Sequence, residues 1–306
     1  MSSPVMSPFG IVEVGPRDGL QNEPVNFSTA DKVNFINRLL DAGIQRIEVA
    51  SFVHPGRVPR MADAEQVLAA LPDRDDVSYI GLALNRRGAE RALKTKVNEI
   101  SCVVVATDSF GRKNQGQTVD EGLLAVDEIL DLTRRNGIKG QVTIAAAFGC
   151  PFEGEVPASR IIEIAHRVAE AEPMEIALAD TIGAGVPGQV RELFSTLAEK
   201  IPHIPLRGHF HNTRNTGIAN AFAALESGAH ALDASLGGIG GCPFAPKATG
   251  NIATEDLVYL LHRSGVETSV SLPKLINCSQ WIESKLGRSV PSLVSKAGDF
   301  PAPIRP

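Results

Sequence analysis

The stretch STADKVNFINRLLDAGIQRIEVA, residues 28–50, contains one helix and one strand in the order that is repeated along the chain. Its first part is amphipathic, with Val33, Ile36 and Leu40 on one stripe between a Ser/Thr cap and a closing glycine. The run IQRIEVA that follows is short and almost continuously apolar. Such runs are typical of parallel strands that are covered on both faces. The stretch therefore predicts a helix followed by a buried parallel strand.

Seven further runs of this kind occur, with helical patterns between them. The predicted strands are 10–15, 44–50, 77–84, 99–106, 141–148, 174–180, 206–211 and 231–238. Eight alternations in about 250 residues match a (β/α)8 barrel in number and size. A doubly wound sheet would need a glycine-rich phosphate turn after its first strand, and GPRDGLQNE is not such a turn. The sequence predicts an α/β fold, a single (β/α)8 TIM barrel over residues 8–290 with extra C-terminal helices, followed by a tail over 291–306.

Composition and charge argue against several classes of partner. The net charge of −5 provides no global basic field for nucleic acid or an anionic membrane. No apolar run approaches the roughly 20 residues that a membrane span needs. The cysteines form no CxxC pair, which suits a reducing compartment, and MSSPVMSPFG does not resemble a secretory signal. We expect a cytoplasmic protein that binds neither nucleic acid nor a membrane.

Polar residues cluster where a TIM barrel places its catalytic groups, at the C-terminal ends of the strands and in the loops that follow. These residues are Arg17, Asp18, Glu48, Asn85, Asp180, Thr181, His209, His211 and Cys242. Their convergence on one end of the barrel predicts an active site there.

Two histidines of the seventh predicted strand form the motif HFH. Residues i and i+2 of a strand point to the same side, so His209 and His211 project together, with Cα atoms about 6.5 Å apart. In an isolated HxH motif, one histidine more often packs while the other hydrogen-bonds to a loop. The carboxylate of Asp18 at the same barrel mouth favours a shared metal ion instead. A mixed nitrogen and oxygen set suits Mg²⁺ or Mn²⁺, and Zn²⁺ is less favoured.

The motif GPRDGLQ places Arg17 beside Asp18. One interpretation is a structural salt bridge. The functional interpretation is that Asp18 binds a metal while Arg17 stabilises negative charge that develops on a substrate oxygen. Glu48, inside the apolar run RIEVAS, is either a buried acid or a group that orients Arg17 or a metal ligand.

The segment GGIGGCPFAPKATGN, residues 237–251, contains five glycines. A loop this flexible can close over a ligand, and Cys242 at its middle would reach the reacting centre on closure. The alternative is a glycine-rich turn with an incidental thiol. Asn251 precedes a helical pattern, so it is either a helix N-cap or a metal ligand through its amide oxygen.

Taken together, several motifs resemble those of the 3-hydroxy-3-methylglutaryl-CoA (HMG-CoA) lyases, from about residue 8 to about residue 290. These motifs are VEVGPRDGLQNE, RIEVASF, GCPFEG, LADTIGAGVPG, HFHNT and GGIGGCPFAPKATGNIATEDLVYLL. A larger group of metal-dependent TIM-barrel enzymes shares the Arg-Asp and HxH motifs, but the cysteine-bearing glycine loop is more specific to the lyases. The rivals are a condensing synthase of the isopropylmalate or homocitrate type and a metal-binding barrel without catalysis.

The resemblance implies a metal-dependent retro-Claisen cleavage of HMG-CoA to acetyl-CoA and acetoacetate, with coenzyme A as part of the substrate and a homodimer as the assembly. The implied ligands of Mg²⁺ or Mn²⁺ are Asp18, His209, His211 and Asn251. The implied catalytic residues are Arg17, Asp18, Glu48, His209 and Cys242, where Arg17 stabilises the enolate, Glu48 orients the site and Cys242 transfers a proton. The candidate substrate contacts are Arg17, Gln21, Asp180, Thr181 and Arg214.

The sequence departs from the lyase pattern directly after the second histidine. The lyases read Asp-Thr-Tyr-Gly there, whereas this chain has Asn212, Thr213, Arg214 and Asn215. Loss of an acid and gain of an arginine make the surroundings of the site more positive. We therefore expect the chemistry to be retained, with citramalyl-CoA or a longer 3-alkyl analogue as the alternative substrate. Arg214 could instead bind a neighbouring acid on the surface.

Overall fold

Eight parallel strands form a closed barrel in the computed structural model, which describes residues 9–241 and 250–301. The strands are β1 (Gly10–Glu13), β2 (Arg46–Ser51), β3 (Ser78–Leu82), β4 (Glu99–Val105), β5 (Lys139–Ala145), β6 (Ile176–Asp180), β7 (Leu206–Phe210) and β8 (Ala229–Ala234). Each strand pairs with the next along the chain, and β8 pairs with β1 to close the barrel. All eight overlap the predicted runs, so the predicted (β/α)8 barrel is confirmed.

The first and last strands end earlier than predicted, at Glu13 and Ala234. After β1, the carbonyl of Val14 accepts from three successive amides, and residues Gly15–Gly19 form one turn of π-helix, called the β1 turn below. Pro16 in that turn has no N–H to donate to a strand ladder. After β8, the amide of Gly238 donates to the carbonyl of Ser235, 2.7 Å away, and so closes a short turn. The seam of the barrel is the place where β1 pairs with β8, and both strands therefore lead into a turn at the C-terminal mouth.

Helices surround the barrel in the order that the sequence predicts. They are α1 (Thr29–Asp41), α2 (Ala64–Ala70), α3 (Arg86–Ala92), α4 (Asp108–Asn114), α5 (Val119–Arg135), α6 (Ala158–Ala169), α7 (Pro187–Lys200), α8 (Gly217–Glu226), α9 (Thr254–Arg263), α10 (Leu272–Leu286) and α11 (Val294–Ala297). The predicted extra C-terminal helices correspond to the single helix α10. Because α11 lies inside the predicted tail, the domain boundary at residue 290 stays a prediction. Among the helices of the described ranges, none has the length and apolar content that a membrane crossing requires.

The stretch that begins the sequence analysis folds as expected. The Ser28 hydroxyl accepts the amide hydrogen of Asp31, 3.1 Å away, and so caps α1, while Phe35, Ile36 and Leu39 are fully buried against the barrel. The extra helix α10 packs against α1, and the ring centroids of Trp281 and Phe35 are 6.0 Å apart. The apolar core therefore lies between the strands and the helical ring.

The bore of the barrel is polar. At its N-terminal end, Arg46 pairs with Glu99 (2.6 Å) and with Glu175 (2.8 Å), and Arg207 also pairs with Glu175 (2.8 Å). Arg207 in addition lies 3.1 Å from Asp233 of β8, one layer closer to the C-terminal mouth. This chain of alternating charges leads from the closed end of the barrel up to the predicted site.

Candidate active site

The β1 turn holds Arg17 between two carboxylates. Its Nε donates to Glu48 Oε2 (2.8 Å), its Nη2 lies 2.6 Å from the same oxygen, and its Nη1 donates to Asp18 Oδ1 (2.8 Å). Burial alone would raise the pKa of Asp18, but Arg17 and the neighbouring histidines outweigh it and hold that pKa at about 2. Burial raises the pKa of Glu48 despite the opposing effect of Arg17. Arg17 is thus fixed in direction, and Asp18 is ionised beside it.

The two histidines project from the end of β7 into the same space, as their spacing predicts. Their ring centroids are 5.1 Å apart. His209 Nδ1 lies 3.0 Å from Asp233 Oδ2, which leaves Nε2 as the ring nitrogen available to a ligand. Burial and the neighbouring His209 lower the pKa of His211 to about 4, so its ring is neutral at pH 7. Its buried Nδ1 has no hydrogen-bond partner among the described residues.

Asn251 reaches the site on an extended segment that pairs with the end of β7. The amide of Asn212 donates to the carbonyl of Gly250 (2.8 Å), and the amide of Ile252 donates to that of Phe210 (3.1 Å). Asn251 Nδ2 then donates to Asp18 Oδ2 at 2.8 Å. Its amide oxygen is buried without a hydrogen-bond partner in the described part of the chain. The N-cap alternative is wrong, because α9 begins at Thr254 with the preceding alanine in the cap position.

The four predicted metal ligands therefore come together. Candidate ligand atoms of Asp18, His209 and His211 all lie within 4.8 Å of one another, and Asn251 is hydrogen-bonded to Asp18. Two of the four offer a buried acceptor atom with no partner among residues 9–241 and 250–301. Native proteins rarely leave such atoms without a partner, so the two unpaired acceptors indicate a site for an ion or a ligand. The donor set of two imidazoles, a carboxylate and an amide oxygen fits a divalent cation.

A cavity of about 140 Å³ runs from these ligands into the bore. Its upper lining includes Arg17, Asp18, Glu48, Thr181, His209 and Asp233. The charged groups at its mouth make it a candidate pocket for a small polar ligand. Of the residues predicted to converge, Arg17, Asp18, Glu48, Thr181 and His209 line this one cavity. Asn85 does not line it, because its side chain caps α3 by accepting from the amide of Gly88 at 3.0 Å.

The candidate substrate contacts occupy different settings. Asp180 is fully buried, and its oxygens accept from the amides of Ala184 (2.8 Å) and Gly185 (2.9 Å), which fixes the loop after β6. Thr181 lines the cavity and accepts the amide hydrogen of Ala146 at 2.9 Å. Gln21 follows the β1 turn, and its buried Oε1 has no partner among the described residues. Their roles toward substrate stay predictions.

Arg214 joins two loops of the mouth. Its Nη1 donates to the carbonyls of Ile182 (3.0 Å) and Gly183 (2.9 Å), directly after Thr181. Among the described residues, its hydrogen-bond partners are therefore backbone oxygens of the β6 loop, and the buried Asp180 is an electrostatic neighbour. The residue that departs from the lyase pattern holds the loop that borders the cavity.

Cys242 lies outside the described residues, so its role in proton transfer stays a prediction. The base of its loop is described. A side chain at Gly240, which has φ of +103°, would place its Cβ 2.9 Å from Asn251 Nδ2 and 3.0 Å from the Cα of Gly19. The segment that leads to Cys242 therefore passes against the candidate ligands, and only glycine fits there.

Two buried acids contribute to the site although they are not among the predicted site residues. Asp233 holds His209, and Glu13 hydrogen-bonds with the β1 turn. Each is a single acid inside an apolar run, ALDAS and IVEVG, which is the same signal that identifies Glu48. Applied to every strand, that signal finds all three residues.

Known proteins resemble this chain over nearly its whole length. The HMGL-like family profile matches residues 9–282. The (R)-citramalyl-CoA lyase of Chloroflexus aurantiacus is 46% identical, with 96% of each chain covered. The hydroxymethylglutaryl-CoA lyase of Bacillus subtilis is 40% identical, with 92% of this chain and 94% of the relative covered. The solved structure of an HMG-CoA lyase from Acinetobacter baumannii in complex with coenzyme A and 3-methylmalate has a TM-score of 0.91 at 38% identity, with 97% of this chain and 98% of that chain covered. The chain therefore belongs to the HMGL-like family of carbon–carbon lyases, as its motifs indicate.

Proposed function

We propose that this protein is a divalent-metal-dependent lyase that cleaves HMG-CoA to acetyl-CoA and acetoacetate. The observation that carries the proposal is the meeting of Asp18, His209 and His211 within 4.8 Å, beside the unpaired amide oxygen of Asn251 and the guanidinium of Arg17. Cleavage to an enolate requires metal ligands and a fixed positive group at one small cavity, and here the positive group is the guanidinium of Arg17. The lyase names of the relatives support the same activity.

Asp18, His209, His211 and Asn251 would hold Mg²⁺ or Mn²⁺. When bound there, the ion would lower the pKa of the C3 hydroxyl of the substrate. Asp233 would keep His209 in the tautomer that presents Nε2, and the low pKa of His211 would keep that ring unprotonated.

Arg17 would stabilise the charge that the reaction releases. In the cleavage the hydroxyl proton is lost, C3 becomes the ketone of acetoacetate and the C2–C3 bond breaks. Its electron pair passes to C2 and onto the thioester oxygen, and C2 then takes up a proton to give acetyl-CoA. Glu48 and Asp18 hold the guanidinium in place, so little reorganisation is needed as the enolate forms. We propose Cys242 for the proton transfer.

Gln21, Asp180, Thr181 and Arg214 would shape the acyl site together with Arg17. Thr181 lines the cavity directly, while Asp180 and Arg214 fix the loop that follows it. This loop is where the chain could discriminate between acyl groups.

(R)-Citramalyl-CoA is a second candidate substrate. The relative that carries this activity in its name is 46% identical, and Arg214 departs from the lyase pattern beside the cavity. Citramalyl-CoA is shorter than HMG-CoA by one methylene between C3 and the terminal carboxylate, so the same bond cleavage gives acetyl-CoA and pyruvate. A difference of one methylene changes binding by about 1–3 kcal/mol, so the shape of the β6 loop is sufficient to select between them.

A substrate panel tests both candidates. Release of acetyl-CoA is measured from HMG-CoA, (R)-citramalyl-CoA and a longer 3-alkyl analogue, each with EDTA, Mg²⁺ or Mn²⁺. We expect the highest kcat/KM for HMG-CoA with metal. A higher value for citramalyl-CoA would replace the first candidate by the second, and no acetyl-CoA from any member would refute the proposed function.

Arg214→Tyr tests the origin of selectivity on the same panel. We expect the ratio of kcat/KM values between the two short substrates to change, because the carbonyls of the β6 loop lose their donor. Arg191→Tyr is the matched control, since Arg191 is an exposed arginine whose partner is Glu226, away from the cavity. If Arg214→Tyr keeps the wild-type ratio, as Arg191→Tyr should, Arg214 has no part in selectivity.

We further propose that the enzyme acts as a homodimer in the cytoplasm. The support for the dimer is the family resemblance, and the support for the compartment is the cysteine pattern together with the absence of a membrane-spanning helix from the described residues. Light scattering on the purified protein and fractionation of the source cells measure these two properties.

A further inference from the structure

Glu13 is a buried acid at the end of β1 with hydrogen bonds to three separate segments. Its side chain is 0% exposed, and it lies on the opposite face of the strand from Val12 and Val14, which line the bore. Its Oε1 accepts from the amides of Gly15 (2.7 Å) and Leu236 (2.9 Å), and its Oε2 accepts from the hydroxyl of Thr254 (2.6 Å). One side chain therefore satisfies three donors.

Each of these segments carries a group of the proposed site. Gly15 begins the β1 turn, which carries Asp18. Leu236 lies on the segment from β8 to the glycine loop, and Thr254 follows Asn251 by three residues. The segments meet directly at the hydrogen bond between Asn251 and Asp18, so any shift of one segment would separate two of the proposed ligands.

The surroundings of Glu13 are closely packed. A Cβ on Gly15 would lie 2.5 Å from Glu13 Oε1, so the turn can approach the carboxyl group only because that residue is glycine. Thr254 is also fully buried, and therefore water cannot replace the carboxyl group as its acceptor without a rearrangement.

We propose that Glu13 is a positioning residue that fixes Asp18 and Asn251 relative to each other and anchors the base of the glycine loop. It acts through these groups and does not touch the substrate. The inference rests on the proposed metal site, because the predicted consequence of losing Glu13 is a loss of metal affinity.

The test measures Mn²⁺ binding by electron paramagnetic resonance, with circular dichroism to confirm the fold and kcat and KM as further readouts. Glu13→Leu removes the acceptor and should weaken Mn²⁺ binding about 10-fold or more, the usual effect of losing a group that orients a ligand. Glu13→Gln should bind within about twofold of the wild type, because its amide oxygen still accepts and its amide nitrogen can donate to Thr254. Rescue by glutamine would show that the hydrogen bonds carry the effect.

Glu99→Gln is the matched control, because Glu99 is equally buried in the same barrel but lies at its N-terminal end. It should lower Tm and leave Mn²⁺ affinity unchanged. Thr254→Val serves if Glu13→Leu does not fold, because it removes one of the three bonds at similar volume. We expect this variant to bind Mn²⁺ about threefold more weakly, a fraction of the full effect.

Several outcomes would overturn the proposal. A folded Glu13→Leu protein with wild-type Mn²⁺ affinity would do so, as would Thr254→Val with unchanged Mn²⁺ affinity and kcat. An equal loss of affinity in Glu99→Gln would reduce the role of Glu13 to general stability. A wild-type protein that binds no Mn²⁺ would instead refute the metal site of the proposed function, and this inference with it.

Discussion

The two ends of the barrel bore both bury charged groups, but they satisfy them differently. At the N-terminal end, every carboxylate oxygen of Glu99 and Glu175 has two partners, supplied mainly by Arg46 and Arg207. Gln141 donates to Glu99. Its own buried oxygen has no partner among the described residues, and Gln141 also lines the cavity above. The carboxylates of the closed end are therefore fully paired.

At the C-terminal mouth the charges are also paired, since Arg17 contacts Glu48 and Asp18. The difference is that two candidate metal ligands, His211 through Nδ1 and Asn251 through Oδ1, are buried without a partner in the described part of the chain. Buried charge thus fails to distinguish a functional site from a structural network. Unpaired buried acceptors grouped beside an ionised carboxylate do distinguish it.

The largest expected effect is the loss of a metal ligand at the open end. His209→Ala and His211→Ala should each lower kcat/KM by about 10⁴-fold, because the ion supplies several kcal/mol of transition-state stabilisation. Circular dichroism should show a folded barrel, since neither ring closes the structural network. Full activity of EDTA-treated wild type without added metal would contradict the metal dependence.

Cys242→Ser tests whether the open end also needs its loop. A thiol has a pKa near 8.5, and a hydroxyl is a weaker acid by several pKa units, so proton transfer should fail. We expect kcat to fall by about 10³-fold, within the usual range for an acid–base group, with Tm nearly unchanged. Turnover close to the wild-type rate would remove Cys242 from the mechanism.

Arg46→Met breaks the closed end. Removing the shared cation leaves Glu99 and Glu175 buried with fewer partners, and breaking such a buried pair costs about 3–5 kcal/mol. Urea unfolding should show this loss, while Mn²⁺ affinity and KM stay at wild-type values. If KM or Mn²⁺ affinity changes as much as stability does, the two ends are coupled and the comparison fails.

The last expected effect is on the pH dependence of stability. Burial raises the pKa of Glu255 from 4.5 to about 8, with Glu13 as a neighbouring acid. The folded state then holds a proton that the unfolded state has lost, so this contribution to stability is complete below pH 4.5 and is lost as the pH rises to about 8. Glu255→Gln, which mimics the protonated acid, should unfold with a flatter profile of free energy between pH 5 and 8. Profiles of equal slope would show that Glu255 titrates normally.

The sequence predicts the barrel because its signals are local. Periodicity within a run identifies strands and helices, and the order of elements then allows few folds. Strand parity also places His209 beside His211, and a shared barrel mouth brings Asp18 near them.

Other parts of the site depend on contacts between distant segments. Asn251 becomes a candidate ligand only because residues 250–252 pair with the end of β7, and its sequence context equally suits a helix cap. Glu13 and Asp233 lie on the neighbouring strands β1 and β8, but Glu13 faces the helical layer and Asp233 faces the bore. An apolar run in the sequence does not reveal which of its residues face the bore. The hydrogen bonds of Arg214 involve backbone carbonyls, whose positions are set by the tertiary fold.

The seam between β1 and β8 has a consequence for how the enzyme is made. Asp18 and Asn251 are 233 residues apart in sequence, and Glu13 and Thr254 are 241 apart. A nascent chain on the ribosome that has not yet reached Asn251 lacks part of the proposed ligand set, even if its first seven strands have begun to associate. Contacts of such long sequence separation form late in folding, because loop closure must come first. The contacts that close the barrel and those that complete the proposed site thus both depend on the last part of the chain, and a polypeptide that stops before Asn251 offers no finished site to metal or thioester.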